Sequence, residues 1–217
     1  MKIKVCGLSV EENISALKQL PIDFFGFIFY ESSKRYIGRK NNLSTLLLDK
    51  TWNSAIQKVG VFVDAEIEQV LHCVHDYHLD YVQLHGKESP EYCNELHQIW
   101  NFSSLRKAKI IKAFAIGDAT DFSTVNAYQT YCQLFIFDTK GEMPGGNGVT
   151  FDWSLLKHYQ GITPFLLSGG IEEPSVEAIL QLRVPQLVGL DINSKFEIEP
   201  ALKDVNKIAS FIHQLKL

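Results

Sequence analysis

The chain has 217 residues, of which 46% are hydrophobic and 21% charged, with a formal net charge of −4. That is enough apolar material for one well-buried domain, short for two, and too hydrophobic for wholesale disorder. The mild negative balance argues against a nucleic-acid partner, which calls for a basic face.

The first six residues, MKIKVC, run straight into a strand pattern without the apolar core of a secretory leader. No apolar run approaches bilayer-spanning length. Cys6, Cys73, Cys93 and Cys132 are widely spaced and form no CxxC pair, which fits a reduced setting. The expectation is a cytoplasmic protein without a membrane partner.

Along the chain, short apolar runs alternate with amphipathic stretches. Strands are predicted at 2–6, 23–29, 58–63, 81–85, 110–115, 134–138, 164–168 and 187–191. Helices are predicted at 10–20, 43–48, 66–78, 89–100, 119–131, 152–159, 175–182 and 202–215, the second being the least patterned. Serial strand–helix units predict an α/β fold, a single (β/α)8 barrel of parallel strands in which 1–217 form one catalytic domain. The alternative, a doubly wound open sheet, expects a glycine-rich dinucleotide turn after the first strand. Here that turn reads Cys6-Gly7-Leu8-Ser9.

In such a barrel, polar residues at the C-terminal strand ends are the candidates for chemistry. In chain order they are Cys6, Arg35, Asp64, His85, Asp138, the Ser168-Gly169-Gly170 turn, and Asp191 with Asn193 and Ser194. Strand parity groups Cys6 with Lys4 and Lys2 on the inward face. It groups Asp138 with Ile136 and Leu134, and Asp191 with Gly189 and Leu187 if the last strand has no bulge.

Each candidate has a plain alternative. Cys6 either packs as a buried thiol or serves as a base. A base must be ionised, and Lys4 or Lys112 nearby would lower its pKa. Asp138 either orders a loop or serves as a general acid, with desolvation and Asp191 both raising its pKa. Arg35 is either a solvated charge or a fork for a substrate carboxylate. Gly169-Gly170 and Asn193-Ser194 follow the seventh and eighth strands, where barrels commonly bind phosphate. His72, His75 and His78 read as a solvated helix face rather than metal ligands. Segment 139–150, TKGEMPGGNGVT, is long and glycine-rich for a strand–helix loop, and is expected to cover the mouth.

Seven blocks carry a family resemblance: KVCGL at 4–8, GFIFYESSKRYI at 26–37, VGVFVD at 59–64, VQLHGKESPEYC at 82–93, FDTKGEMPGGNGVTFDWSLL at 137–156, LLSGGI at 166–171 and GLDINSKFEIEPALKD at 189–204. In this order they resemble the phosphoribosylanthranilate isomerases of tryptophan biosynthesis. The resemblance implies an Amadori rearrangement of N-(5′-phosphoribosyl)anthranilate without metal or organic cofactor, by a monomer or homodimer. It implies Asp138 as general acid and Cys6 as base, and Arg35 as holder of the anthranilate carboxylate. His85 and Asp191 would line the substrate, with Gly169, Gly170, Asn193 and Ser194 around its phosphate. The chain departs from the family pattern at Lys195 and Ala201, where glycine is common, and at Glu31, where proline is. A side chain at 195 costs energy if that position needs a positive φ. It would otherwise add a cation near the phosphate.

Two rivals remain open. The sister sugar isomerase of histidine biosynthesis uses an aspartate where Cys6 stands. A barrel that binds a phosphorylated ligand without catalysis would have no need for both Cys6 and Asp138.

Overall fold

The computed structural model of the chain describes residues 1–39, 47–48, 52, 55–139 and 152–215. Eight strands pair in parallel and in chain order to close a barrel. They are β1 (Lys2–Val5), β2 (Phe24–Ile28), β3 (Gln57–Phe62), β4 (Tyr81–Leu84), β5 (Lys109–Ile116), β6 (Leu134–Thr139), β7 (Phe165–Leu167) and β8 (Leu187–Ile192). The ring closes where Lys2 to Val5 of β1 lie in register with Gly189 to Ile192 of β8.

Helices α1 (Glu11–Leu17), α2 (Ile67–Asp76), α3 (Pro90–Phe102), α4 (Val176–Gln181) and α5 (Val205–Gln214) lie between and after the strands. Their starts follow local chemistry. The Ser89 hydroxyl accepts from the Tyr92 amide at 3.3 Å, with Pro90 in the first turn of α3. The Asp204 carboxylate accepts from the Lys207 amide at 3.0 Å, and α5 buries Ile208, Phe211 and Ile212 on one face. Of the predicted helix at 43–48, only Leu47 and Leu48 lie among the described residues, and both are helical. Among the described residues no helix is long and apolar enough to cross a membrane.

Three predicted helices differ. Those at 119–131 and 152–159 are 3-10 helices, at Ala119–Tyr128 and Trp153–His158. In the first, Phe122, Val125 and Tyr128 meet the core every third residue, the period of a 3-10 turn rather than an α-turn. The predicted helix at 202–215 begins only at Val205. Its first residues belong to an antiparallel hairpin of β9 (Glu197–Glu199) and β10 (Leu202–Lys203).

Inside the barrel, Phe24, Val59, Ile111, Ala113, Leu134, Ile136 and Leu166 form the inner core, with the Tyr81 ring edge-on to Phe24 at 5.5 Å. The outer core lies between strands and helices. β6 shows how both faces are used: Leu134 and Ile136 point in, while Phe135 and Phe137 point out. Phe137 meets Phe165 at 4.5 Å, Tyr159 at 5.0 Å and Phe122 at 5.1 Å between ring centres. Burying each such ring contributes about 1.5–3 kcal/mol. The outward rings thereby fix the register that points Asp138 inward.

β8 corrects one parity assignment. Its pairing with β7 shifts between Phe165, opposite Leu187, and Leu166, opposite Gly189. Val188 is the extra residue and packs on the inner core, while Leu187 packs on the outer one. A bulge thus breaks the alternation below Gly189, so Leu187 does not share the face of Asp191.

Candidate active site

An open-mouthed cavity lies at the C-terminal ends of the strands. Its wall contains Cys6, Arg35, His85, Asp138, Gly169, Gly170, Asp191, Asn193 and Ser194, the residues that the family resemblance implies for the site. The wall is segregated. Ile28, Val61 and Val63, after or within β2 and β3, give an apolar side, and the turns after β7 and β8 give a polar one.

Asp64 and Lys112 belong elsewhere. Asp64, at φ 48, accepts from the Lys87 amide at 2.5 Å and ties the loops after β3 and β4 together. The Lys112 ammonium donates to Glu88 at 3.1 Å and to the carbonyls of Leu84, Gly86 and Ala113. It is therefore not the cation beside Cys6. His75, on the helix expected to be solvated, is exposed and its ring contacts Asp76 at 3.0 Å. Segment 140–150, which holds all but the first residue of the expected covering loop, lies outside the described residues.

Cys6 follows β1 and points inward, as parity requires. A Cβ at Gly26 would lie 2.8 Å from the Cys6 Sγ and 3.2 Å from the Lys4 Nζ, so the absent side chain makes room for both. Lys4, fully buried, donates to Asp191 Oδ1 at 2.9 Å. Burial pushes the Cys6 thiol above its ordinary range, Lys4 pulls it down, Asp191 pushes it up, and Lys203 pulls it down more weakly. Cys6 is thus a thiol at rest, with two ammonium groups placed to stabilise its thiolate.

Asp138 is nearly buried, and desolvation lifts its carboxyl to about 6 against a bond from the Thr139 amide at 2.8 Å. Asp191 pushes in the same direction. A carboxyl at that value is still partly protonated near neutrality, as a general acid requires. Gly169 borders it directly. At φ +87 this residue adopts the left-handed conformation, and a Cβ there would fall 2.7 Å from Asp138 Oδ1. His85 Nε2 stands 3.6 Å from Asp138 Oδ2, and its Nδ1 contacts the Gln83 side-chain nitrogen at 2.8 Å. Burial, then Lys4 and Lys112, push His85 down to about 3, so the imidazole is neutral.

Arg35 reaches the cavity from the loop after β2. Its Nε and Nη2 donate to the two oxygens of Glu197 at 2.8 and 2.5 Å. Lys195 lies in a 3-10 turn, Ser194–Phe196, and is not among the residues of positive φ. The cost foreseen there falls instead on Ala201, at φ 74. Lys195 lines the cavity beside Asn193 and Ser194, which puts its cation on the polar side.

Sequence reasoning missed Gln83, Glu197 and Lys203. Gln83 was within reach of parity, two residues before His85 on the same face. Its side-chain oxygen is buried without a hydrogen-bond partner among the described residues. Glu197 and Lys203 offered only two charges flanking a proline turn, and Lys203 fell within the predicted helix at 202–215.

A family model described as N-(5′-phosphoribosyl)anthranilate (PRA) isomerase matches residues 3–214. The N-(5′-phosphoribosyl)anthranilate isomerase of Parabacteroides distasonis is 45% identical over 215 residues, covering 99% of this chain and 93% of that protein. The crystal structure of phosphoribosyl anthranilate isomerase from Thermotoga maritima superposes with a TM-score of 0.82 at 28% identity, covering 100% of this chain and 98% of that one. A phosphoribosyl anthranilate isomerase in complex with reduced 1-(o-carboxyphenylamino)-1-deoxyribulose 5-phosphate gives a TM-score of 0.79 at 27% identity, with 100% and 98% covered. With the family model spanning nearly the whole chain, this protein belongs to the N-(5′-phosphoribosyl)anthranilate isomerase family.

Proposed function

We propose that the chain, as one catalytic domain, converts N-(5′-phosphoribosyl)anthranilate to 1-(2-carboxyphenylamino)-1-deoxyribulose 5-phosphate in the cytoplasmic biosynthesis of tryptophan. The observation that carries the mechanism is the placement of Asp138, lifted to about 6, and Cys6, flanked by Lys4, in the wall of one cavity. Asp138 gives its proton to the furanose ring oxygen. The C1′–O bond breaks, and the exocyclic nitrogen supplies electrons to form the Schiff base. The Cys6 thiolate then takes the C2′ proton, leaving an enolamine that tautomerises to the ketose.

Both steps are proton transfers, so acid, base and correct placement suffice. Placement is supported at each end of the cavity. Asn193, Ser194, Lys195 and the paired glycines suit a phosphate. Arg35 suits the carboxylate, and the apolar side from β2 and β3 suits the aromatic ring. His85, neutral beside Asp138, and Asp191, paired with Lys4, shape the middle.

The test is turnover by the purified chain, with the histidine-pathway phosphosugar assayed in parallel. The expected result is turnover of phosphoribosylanthranilate alone, falling at least about 100-fold in Cys6→Ser and in Asp138→Asn. Turnover of only the histidine-pathway substrate would overturn the substrate, and full activity in both variants would overturn the roles.

A further inference from the structure

Behind the cavity wall, the β9–β10 hairpin carries two charges on buried side chains, Glu197 and Lys203, that the proposed mechanism uses neither to move a proton nor to touch the substrate. Lys203 is 1% exposed. Its ammonium donates to Glu197 Oε1 at 2.6 Å and to Asn193 Oδ1 at 2.7 Å. The Asn13 side chain clamps its backbone, accepting from the Lys203 amide at 2.9 Å and donating to the Lys203 carbonyl at 2.8 Å. Glu197, in turn, grips Arg35 through both oxygens. Gly7 lies beneath: a Cβ there would fall 2.5 Å from Arg35 Cδ and 2.9 Å from Asn193 Oδ1.

The arithmetic of charge gives this cluster a meaning. Arg35 and Glu197 alone are neutral, and a neutral pair has little attraction for a carboxylate. With Lys203 the cluster carries one net positive charge, and only Arg35 brings it to the cavity wall. A purely structural role is a poor account, because a buried ion cluster contributes little stability over apolar side chains of the same volume. We propose that Lys203 is a positioning residue that neutralises Glu197, so that Glu197 can hold Arg35 rigidly while the arginine keeps its charge for the substrate carboxylate. This rests on the function proposed above, since the carboxylate is that of the anthranilate ring.

Wild-type turnover of phosphoribosylanthranilate is measured first, because its absence defeats the function and leaves Lys203 aside. Given turnover, Lys203→Met is expected to raise KM by about tenfold or more, the effect of losing a charged hydrogen bond, with a much smaller change in kcat. The probes are the reduced product analogue and the same compound without its ring carboxylate. Lys203→Met weakens inhibition by the first about tenfold and leaves the second nearly unmoved. Glu197→Gln combined with Lys203→Met restores the net charge and recovers most of the lost affinity. Lys203→Gln, which keeps a bond to Asn193 but no charge, repeats the comparison if the methionine variant does not fold. Equal loss of both inhibitors, a fall in kcat alone, or no recovery in the double variant would overturn the proposal.

Discussion

Asp138 and Cys6 are displaced in the same direction by the same cause, burial, and this has a kinetic signature. Catalysis as proposed needs Asp138 protonated and Cys6 ionised, the reverse of the order in which they lose protons. Between the Asp138 value, about 6, and the higher Cys6 value, the fraction with an acidic Asp138 falls as fast as the fraction with a basic Cys6 rises. The expected profile of kcat/KM, which reports the free enzyme, is therefore level between pH of about 6 and the Cys6 value, and falls below and above that range. In Asp138→Asn the break near pH 6 vanishes, and the residual rate climbs with pH, without a plateau, until Cys6 is ionised. A residual rate that levels off near pH 6 would defeat the assignment.

At this scale the sequence was legible where a residue sits at a strand end. Cys6, His85, Asp138 and Asp191 could be named because parity and position depend on the backbone alone. The cation beside Cys6 was legible only in part: Lys4 shares its strand, whereas Lys112 is drawn away by three carbonyls and Glu88. Such partners come from other strands, and no spacing along the chain reports them.

Among elements, the β9–β10 hairpin holds the clearest strain. Ala201 adopts φ 74 and is nearly buried. An L-residue there costs roughly 1–2 kcal/mol, and glycine gives back part of that through its unfolded-state entropy. Ala201→Gly is expected to stabilise the protein by about 0.5–1 kcal/mol, read as a rise of roughly 1–4 °C in Tm. A fall in Tm would mean that the lost methyl packing outweighs the strain. The second strand of the hairpin was hidden in the sequence because Leu202 lies on the helical period of Val205, Ile208 and Ile212. Strands were easier. All eight lie within a residue or two of their predicted bounds, because barrel strands are apolar on both faces and flanked by breaks. The 3-10 helices were not separable, since a three-residue period differs from an α-helical one by less than short segments resolve.

At the level of the whole molecule, the barrel closes through an ion pair. Lys4 on β1 and Asp191 on β8 meet inside the seam, and neither is significantly exposed. Asp191→Asn leaves a buried ammonium with no counter-charge, which costs about 3–5 kcal/mol. The expected outcome is a lower urea midpoint with little change in m-value, largely recovered by adding Lys4→Met. The same variant removes a charge that pushes the Cys6 thiol up, so its thiolate absorbance should emerge at lower pH. An unchanged midpoint in Asp191→Asn would show that Lys4 gives up its proton instead. Closure itself was legible from eight serial units, but the pair that spans it was not, because its members stand 187 residues apart.

That separation sets a clock on the ribosome. At roughly 5–20 residues per second, Lys4 emerges about 10–40 s before its carboxylate is made. Until β8 arrives, β1 has an unpaired edge and the barrel an open side, each an invitation to another chain. The nascent protein therefore spends that interval with β1 open to other chains, and anything that shelters β1 during synthesis should raise the yield of closed barrels.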